Sequence, residues 1–157
     1  MKRTIAVALA LTLGYADAQL LGSTAKISES AFCKKNDCQY IKVASSGKNQ
    51  IWTYYISRRL NFDVWRDTYP AKSVLYASRL RFVGGSINDK DAALISDYFH
   101  ALSGVKISNA QVKACNNAKA RLPLFRVNEG PEGYDFTTCY RLDSTEIVFE
   151  SGTVAPG

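Results

Sequence analysis

Residues 84–115 read GGSINDKDAALISDYFHALSGVKISNAQVKAC, and the periodicity of this stretch decides the fold. Asn88 or Asp89 can cap a helix running from about residue 89 to Ser103, with acids in its first turn where the helix dipole favours them. Ala92, Ile95, Phe99 and Leu102 recur at helical spacing, and Leu94 and Tyr98 widen the apolar stripe. Gly104 stands where a left-handed C′ residue is wanted, followed by apolar Val105, as in a Schellman stop. A second helix starts at once. Ser108 and Gln111 form a capping box, and Ile107 and Val112 a hydrophobic staple. This helix is expected to reach about Ala120, with Val112, Cys115 and Ala118 on one face. It is short, so packing and a disulfide must hold it.

Strand patterns flank this hairpin on both sides. Gln39–Ala44 alternates, with Ile41 and Val43 opposite Tyr40 and Lys42, Ser45–Asn49 is a turn signal, and Ile51–Ser57 is rich in β-branched and aromatic residues. Leu60–Trp65 sets Leu60, Phe62 and Val64 against Asn61, Asp63 and Trp65. Asp67–Lys72, with Pro70, is expected to be a loop. Val74–Val83 sets Val74, Tyr76, Leu80 and Phe82 against Arg79 and Arg81. Beyond the helices, Leu124–Val127, Tyr134–Leu142 and Thr145–Glu150 read as strands, with a turn cluster over Asn128–Gly133. The apolar face of Tyr134–Leu142 is expected to hold Tyr134, Phe136, Tyr140 and Leu142. Strands, a helical hairpin and strands again predict an α+β single domain: an antiparallel sheet with the hairpin packed on one face.

Met1-Lys2-Arg3, an apolar run from Ile5 to Leu13 and the Ala16-Asp17-Ala18 site have the order of a secretory signal peptide. The run is too short to span a bilayer, which takes about 20 apolar residues. Cleavage after Ala18 divides the chain into a signal peptide at 1–18, a lead-in at 19–30, a domain at 31–150 and a flexible tail at 151–157. No transmembrane segment is expected after cleavage. The expected location is outside the cytoplasm: periplasmic, cell-envelope or extracellular.

Four cysteines in an exported chain imply two disulfides. Cys33–Cys38 and Cys115–Cys139 are the favoured pairs, because the polar residues Lys34–Asp37 can turn the chain between the first two. Cys139 falls off the expected apolar face of its strand, so a bond to a core-facing Cys115 would call for a bulge, a sheet end or another connectivity. No Cys-x-x-Cys occurs, and neither a metal nor a cofactor is implied.

Several patterns bear on chemistry, and each has a plain structural reading. His100 is the single histidine and lies near the end of its helix, about 120° from the centre of the apolar stripe. Ser23-Thr24-Ala25-Lys26 and Ser45-Ser46-Gly47-Lys48 spell Ser-x-x-Lys, but no Lys-Thr-Gly follows and the chain is too short for the serine enzymes that use it. Glu129, Glu132 and Asp135 could offer oxygen ligands to Ca²⁺, at a spacing that does not match an EF-hand loop. The helical hairpin has Lys106 where a phosphate-binding hairpin needs a second glycine, so nucleic acid is not implied.

The net charge of +6 favours acidic partners. The segment Trp52–Tyr69 interleaves Trp52, Tyr54, Tyr55, Trp65 and Tyr69 with Arg58, Arg59 and Arg66. Aromatic and arginine residues mark interface hot spots and platforms for sugars or bases. Trp52, Tyr54, Arg58, Arg59, Trp65 and Arg66 are therefore the candidate contact residues. The expectation is an exported, non-catalytic binding module of the cell envelope, suited to be an accessory subunit of a larger assembly. Its partner would be an envelope protein or an anionic polymer. The competing expectations are a small secreted hydrolase, cleaving nucleic acid or glycan with His100 or carboxylates such as Glu129 and Glu132, and a secreted enzyme inhibitor.

Overall fold

The structure, a computed structural model, describes residues 19–67, 74–130 and 133–154. The expected signal peptide, Tyr69, Pro70, Glu132 and residues 155–157 lie outside them. A short helix α1 (Ala31–Asn36) precedes four strands: β1 (Gln39–Ser46), β2 (Asn49–Ser57), β3 (Leu60–Asp67) and β4 (Val74–Val83). Helices α2 (Asp89–Ser103) and α3 (Asn109–Ala114) follow, then β5 (Leu122–Gly130), β6 (Gly133–Arg141) and β7 (Glu146–Val154). All strand pairs are antiparallel, in the order β1-β2-β3-β4-β7-β6-β5. The helices carry the chain from β4 to the far edge, and the last three strands return to set β7 beside β4.

The hairpin forms for the reasons its sequence suggests. Asn88 caps α2 in a capping box with Asp91, and Gly104 ends it at φ 73°. Ser108 and Gln111 form the box that starts α3. The second helix is shorter than expected: α3 gives way to a 3-10 turn over Cys115–Asn117. There Asn116 turns its amide onto the backbone of Ile87, accepting from the N–H at 2.8 Å and donating to the carbonyl at 3.2 Å. That side chain competes with helix continuation.

Tyr98 and Phe99 carry α2 onto the inner face of the sheet. The Tyr98 ring lies 5.0 Å from Phe62 of β3, and Phe99 lies 5.7 Å from Phe149 of β7. Leu60, Val64, Leu75, Leu80, Phe82 and Ile147 complete a closely packed core. Each such side chain contributes roughly 1.5–3 kcal/mol by leaving water. The Tyr98 hydroxyl meets Ser78 Oγ within this core, so its polar end is satisfied.

Three strand faces differ from the expected phase. In β1, a bulge at Ile41 puts Tyr40 on the face of Val43, where simple alternation sets them opposite. In β4, Leu75 faces the core in place of Val74 and Tyr76, because a bulge at Tyr76 shifts the register between Trp65–Ala77 and Arg66–Leu75. In β6, the inner face carries Asp135, Thr137 and Cys139, while Phe136 pairs with Gly152 on the outer face. Polar groups hold that inner position because they are paired: Thr137 with Ser151 at 2.6 Å, and Asp135 with Thr153 and Gln19 at 2.7 and 2.8 Å. Cys139 therefore faces Cys115 with no bulge needed.

The two disulfides join Cys33 to Cys38 and Cys115 to Cys139, with Cα separations of 4.8 and 5.9 Å. The first closes around helix α1 rather than a simple turn, with Ser30 as N-cap and Asp37 left-handed at φ 51°. The lead-in belongs to the domain. Leu20, Leu21 and Ile27 are buried, and Gly22 and Ser23 exchange backbone hydrogen bonds with Leu75. The domain also runs past residue 150, since β7 continues to Val154 and buries Ser151. No helix among the described residues is long and apolar enough to cross a membrane.

Candidate functional site

The helices cover the middle of the inner face and leave its β1–β2 wing open. Tyr40, Val43, Trp52 and Tyr54 share that face, because Tyr40 pairs with Tyr54 and Val43 with Trp52. Their rings form a ladder: Tyr40 stands 5.6 Å from Trp52 and 5.9 Å from Tyr54, and Tyr54 stacks on Phe62 at 5.1 Å. The ladder starts in solvent and ends in the core. Tyr40, Ile41 and Val43 are 51 %, 53 % and 44 % exposed, whereas Tyr54 is buried.

A groove of about 340 Å³ opens between this wing and the lead-in. Tyr40, Trp52, Tyr54 and Arg66 line the sheet side, and Thr24, Lys26, Ser28 and Glu29 the other. Arg66 is buried at its base and donates to the carbonyls of Thr24, at 3.3 Å, and Ala25. Burial disfavours the Arg66 charge and lowers its pKa, against the pull of Tyr54 and Glu29. Burial likewise raises the Tyr54 phenol above its ordinary value, opposed by a hydrogen bond to Ser28 and by Arg66. Lys26 pairs with Glu29 at 3.5 Å on the rim. Such a groove offers an aromatic wall to stack on and a fixed cation beneath it.

The chain matches no protein-family model, no curated protein and no solved structure.

The six expected contact residues do not form one surface. Trp52, Tyr54 and Arg66 meet in the groove. Trp65 lies on the opposite face of the sheet, where Arg79 sits 5.4 Å over its ring. Arg58 is exposed in the β2–β3 turn. Arg59 holds the β4–α2 connection: it donates to Asp91 and to the carbonyls of Gly84 and Ser86, each at 2.9 Å, and lies 4.5 Å over Phe82. The strand alternation that made this segment look like one patch is what divides it between two faces.

The remaining sequence motifs have structural roles. Ser23 Oγ donates to the Leu20 carbonyl at 2.8 Å and accepts from the Ala25 N–H at 3.2 Å, folding the lead-in. His100 is exposed on α2, beside a shallow depression that also holds the Lys35–Asp97 pair. Asp135 is on the inner face of β6, where Thr153 and Gln19 hold its carboxylate. Among the described residues no group of three or more His, Cys, Asp or Glu side chains is placed to hold a metal ion. Sequence reading missed Tyr40, Ile41 and Val43, although the β-branched and aromatic content of an edge strand is itself a signal.

Proposed function

We propose that this chain is an exported, non-catalytic binding module of the cell envelope, an accessory subunit that contacts an envelope protein or anionic polymer through its β1–β2 wing. The observation that carries the reading is the run of exposed Tyr40, Ile41 and Val43 beside the groove of Trp52, Tyr54 and Arg66. Apolar side chains that an edge strand displays together serve contact better than stability. Lys26 and Arg66 against Glu29 leave the groove lining with one net positive charge, which suits an acidic partner. The two disulfides and the order of the first eighteen residues support export.

The test is gel filtration of native envelope extracts, with mass spectrometry of co-eluting chains and polymers. The wild-type protein is expected in a large assembly, and a Tyr40→Ala, Val43→Ser, Trp52→Ala variant as a lone domain. Wild-type elution at domain size, or a variant that stays in the assembly, would contradict the reading. Arg59 and Arg66 are unsuitable probes, because both bind backbone carbonyls that hold the fold together. Of the three arginines, Arg58 alone can be replaced to test charge without that complication.

A further inference from the structure

The outer face of the sheet, away from the helices, carries a second feature. Strand pairing sets Trp65, Ala77, Gly152 and Phe136 in one row across β3, β4, β7 and β6. Two small residues thus lie between two aromatic ones. A slot of about 230 Å³ opens over Ala77, lined also by Trp65, Phe136, Tyr76 and the Arg79–Glu150 pair. Gly152 lets the Phe136 ring lie close to the sheet. A Cβ there would stand 3.3 Å from both the Phe136 ring and the Tyr76 carbonyl, and the Phe136 ring lies over the space it would fill.

One end of the slot is polar, with Arg79 and Arg121 sharing the Glu150 carboxylate. Arg79 donates to Glu150 Oε1 through Nε at 3.2 Å and Nη2 at 3.0 Å. Tyr140 donates to the same oxygen at 3.2 Å, and Arg121 pairs with Oε2. Arg79 thereby uses two of its five N–H donors, and its side chain is 38 % exposed. A ligand at this end meets further guanidinium donors and a carboxylate already paired, so hydroxyls can add hydrogen bonds while the pairs stay intact.

We infer that this slot binds one pyranose ring of a neutral glycan. Three observations select that class. Phe136 and Trp65 carry negative π density that attracts the polarised C–H groups of a sugar, and on Trp65 the Arg79 guanidinium already lies 5.4 Å over the ring. The adjacent donors and acceptor suit hydroxyls, which both donate and accept. The volume lies below the about 300–1,000 Å³ usual for larger ligands, which limits the slot to a single ring. The slot is on the opposite face from the β1–β2 wing, so it stands or falls apart from the proposed contact surface.

The chain has two tryptophans, so a Trp52→Phe background leaves Trp65 as the sole indole reporter. Its fluorescence is titrated with cellotetraose, maltotetraose and chitotetraose. At least one is expected to give a saturable change with Kd about 1 mM, at salt-independent strength. Ala77→Leu, which fills the floor from the solvent side, is expected to weaken that binding at least tenfold while circular dichroism and thermal midpoint stay unchanged. A conservative Glu150→Gln variant checks the polar end and is expected to weaken binding through the disturbed Arg79. No saturable change with any of the three sugars up to about 10 mM would overturn the proposal. So would binding that a folded Ala77→Leu variant retains, or binding of tetragalacturonate alone with loss in salt.

Discussion

The two wings of the sheet are finished differently. On the β5–β6 side, the Cys115–Cys139 bond ties the end of the helical layer to β6. Gln111 donates to the Leu124 carbonyl of β5 at 3.4 Å, and Arg141 donates to the Asn116 carbonyl at 3.0 Å. Pro123, which lacks an N–H, and exposed Arg126 sit on that edge strand, a composition that discourages further pairing. On the β1–β2 side, Tyr40, Ile41 and Val43 remain exposed, and the aromatic ladder runs outward from the core to meet them. One wing is closed by covalent and polar clamps. The other carries apolar surface that the domain does not bury, which is the physical basis for assigning contact to it.

The comparison can be broken most sharply at the closed wing. Replacing Cys115 and Cys139 together by serine is expected to cost about 3 kcal/mol, read as a lower urea midpoint, because the bond spans 24 residues. The same change at Cys33 and Cys38, which span five, is expected to cost about 2 kcal/mol. Equal or reversed losses would show that the covalent clamp of the β5–β6 wing is not the stronger one.

Arginines from both sides meet the connection between β4 and α2. Arg59 donates to Gly84 and Ser86, and Arg141 to Gly85 at 3.0 Å. Arg59→Ala and Arg141→Ala should each cost about 2 kcal/mol in chemical denaturation, since each leaves several carbonyls without a charged donor. A neutral Arg59→Ala would mean that only the closed wing holds this connection.

A smaller effect is expected from acid. Burial alone would raise the Glu150 carboxyl, but hydrogen bonds from Arg121 and Arg79 outweigh it and hold the pKa below the ordinary carboxylate range. A folded pKa below the unfolded value of about 4.3 stabilises the native state above that pH, and the contribution is lost as pH falls through the folded pKa. Glu150→Gln should therefore flatten the acid limb of the stability profile between about pH 4.3 and the lower folded value. An unchanged limb would show that these ion pairs do not carry it. The smallest effect belongs to the open wing: Tyr40→Ala and Val43→Ser should each shift stability by no more than about 0.5 kcal/mol, the range for exposed sites. A loss well beyond that would mean those side chains serve the fold, and the contrast between the wings would fail.

Local signals made most of the architecture legible. The capping box at Ser108 and Gln111 and the glycine stop at Gly104 depend on a few adjacent residues, and both stand where the sequence places them. Both disulfides join the expected cysteines. What failed to read was what distant partners decide. The phase of β6 turns on Thr137 meeting Ser151 and Asp135 meeting Gln19, contacts across 14 and 116 residues that alternation cannot show. The phase of β4 turns on one bulge at Tyr76. The lead-in lacks periodicity because it packs as an irregular segment, Leu20 and Leu21 both donating to the Leu102 carbonyl. The candidate site was half legible: Trp52, Tyr54 and Arg66 converge, but Trp65 and Arg59 face other tasks, and the exposed residues of β1 follow only from its place at the edge.

The most direct test of the contrast is hydrogen–deuterium exchange on the native protein, free and within its envelope extract fraction. Free protein should show slow amides in β3, β4 and β7 and fast ones along β1, and the envelope fraction should protect β1 and the Trp52 strand selectively. Protection that is absent, or that falls on β5 and β6, would contradict the assignment of the open wing as the contact surface.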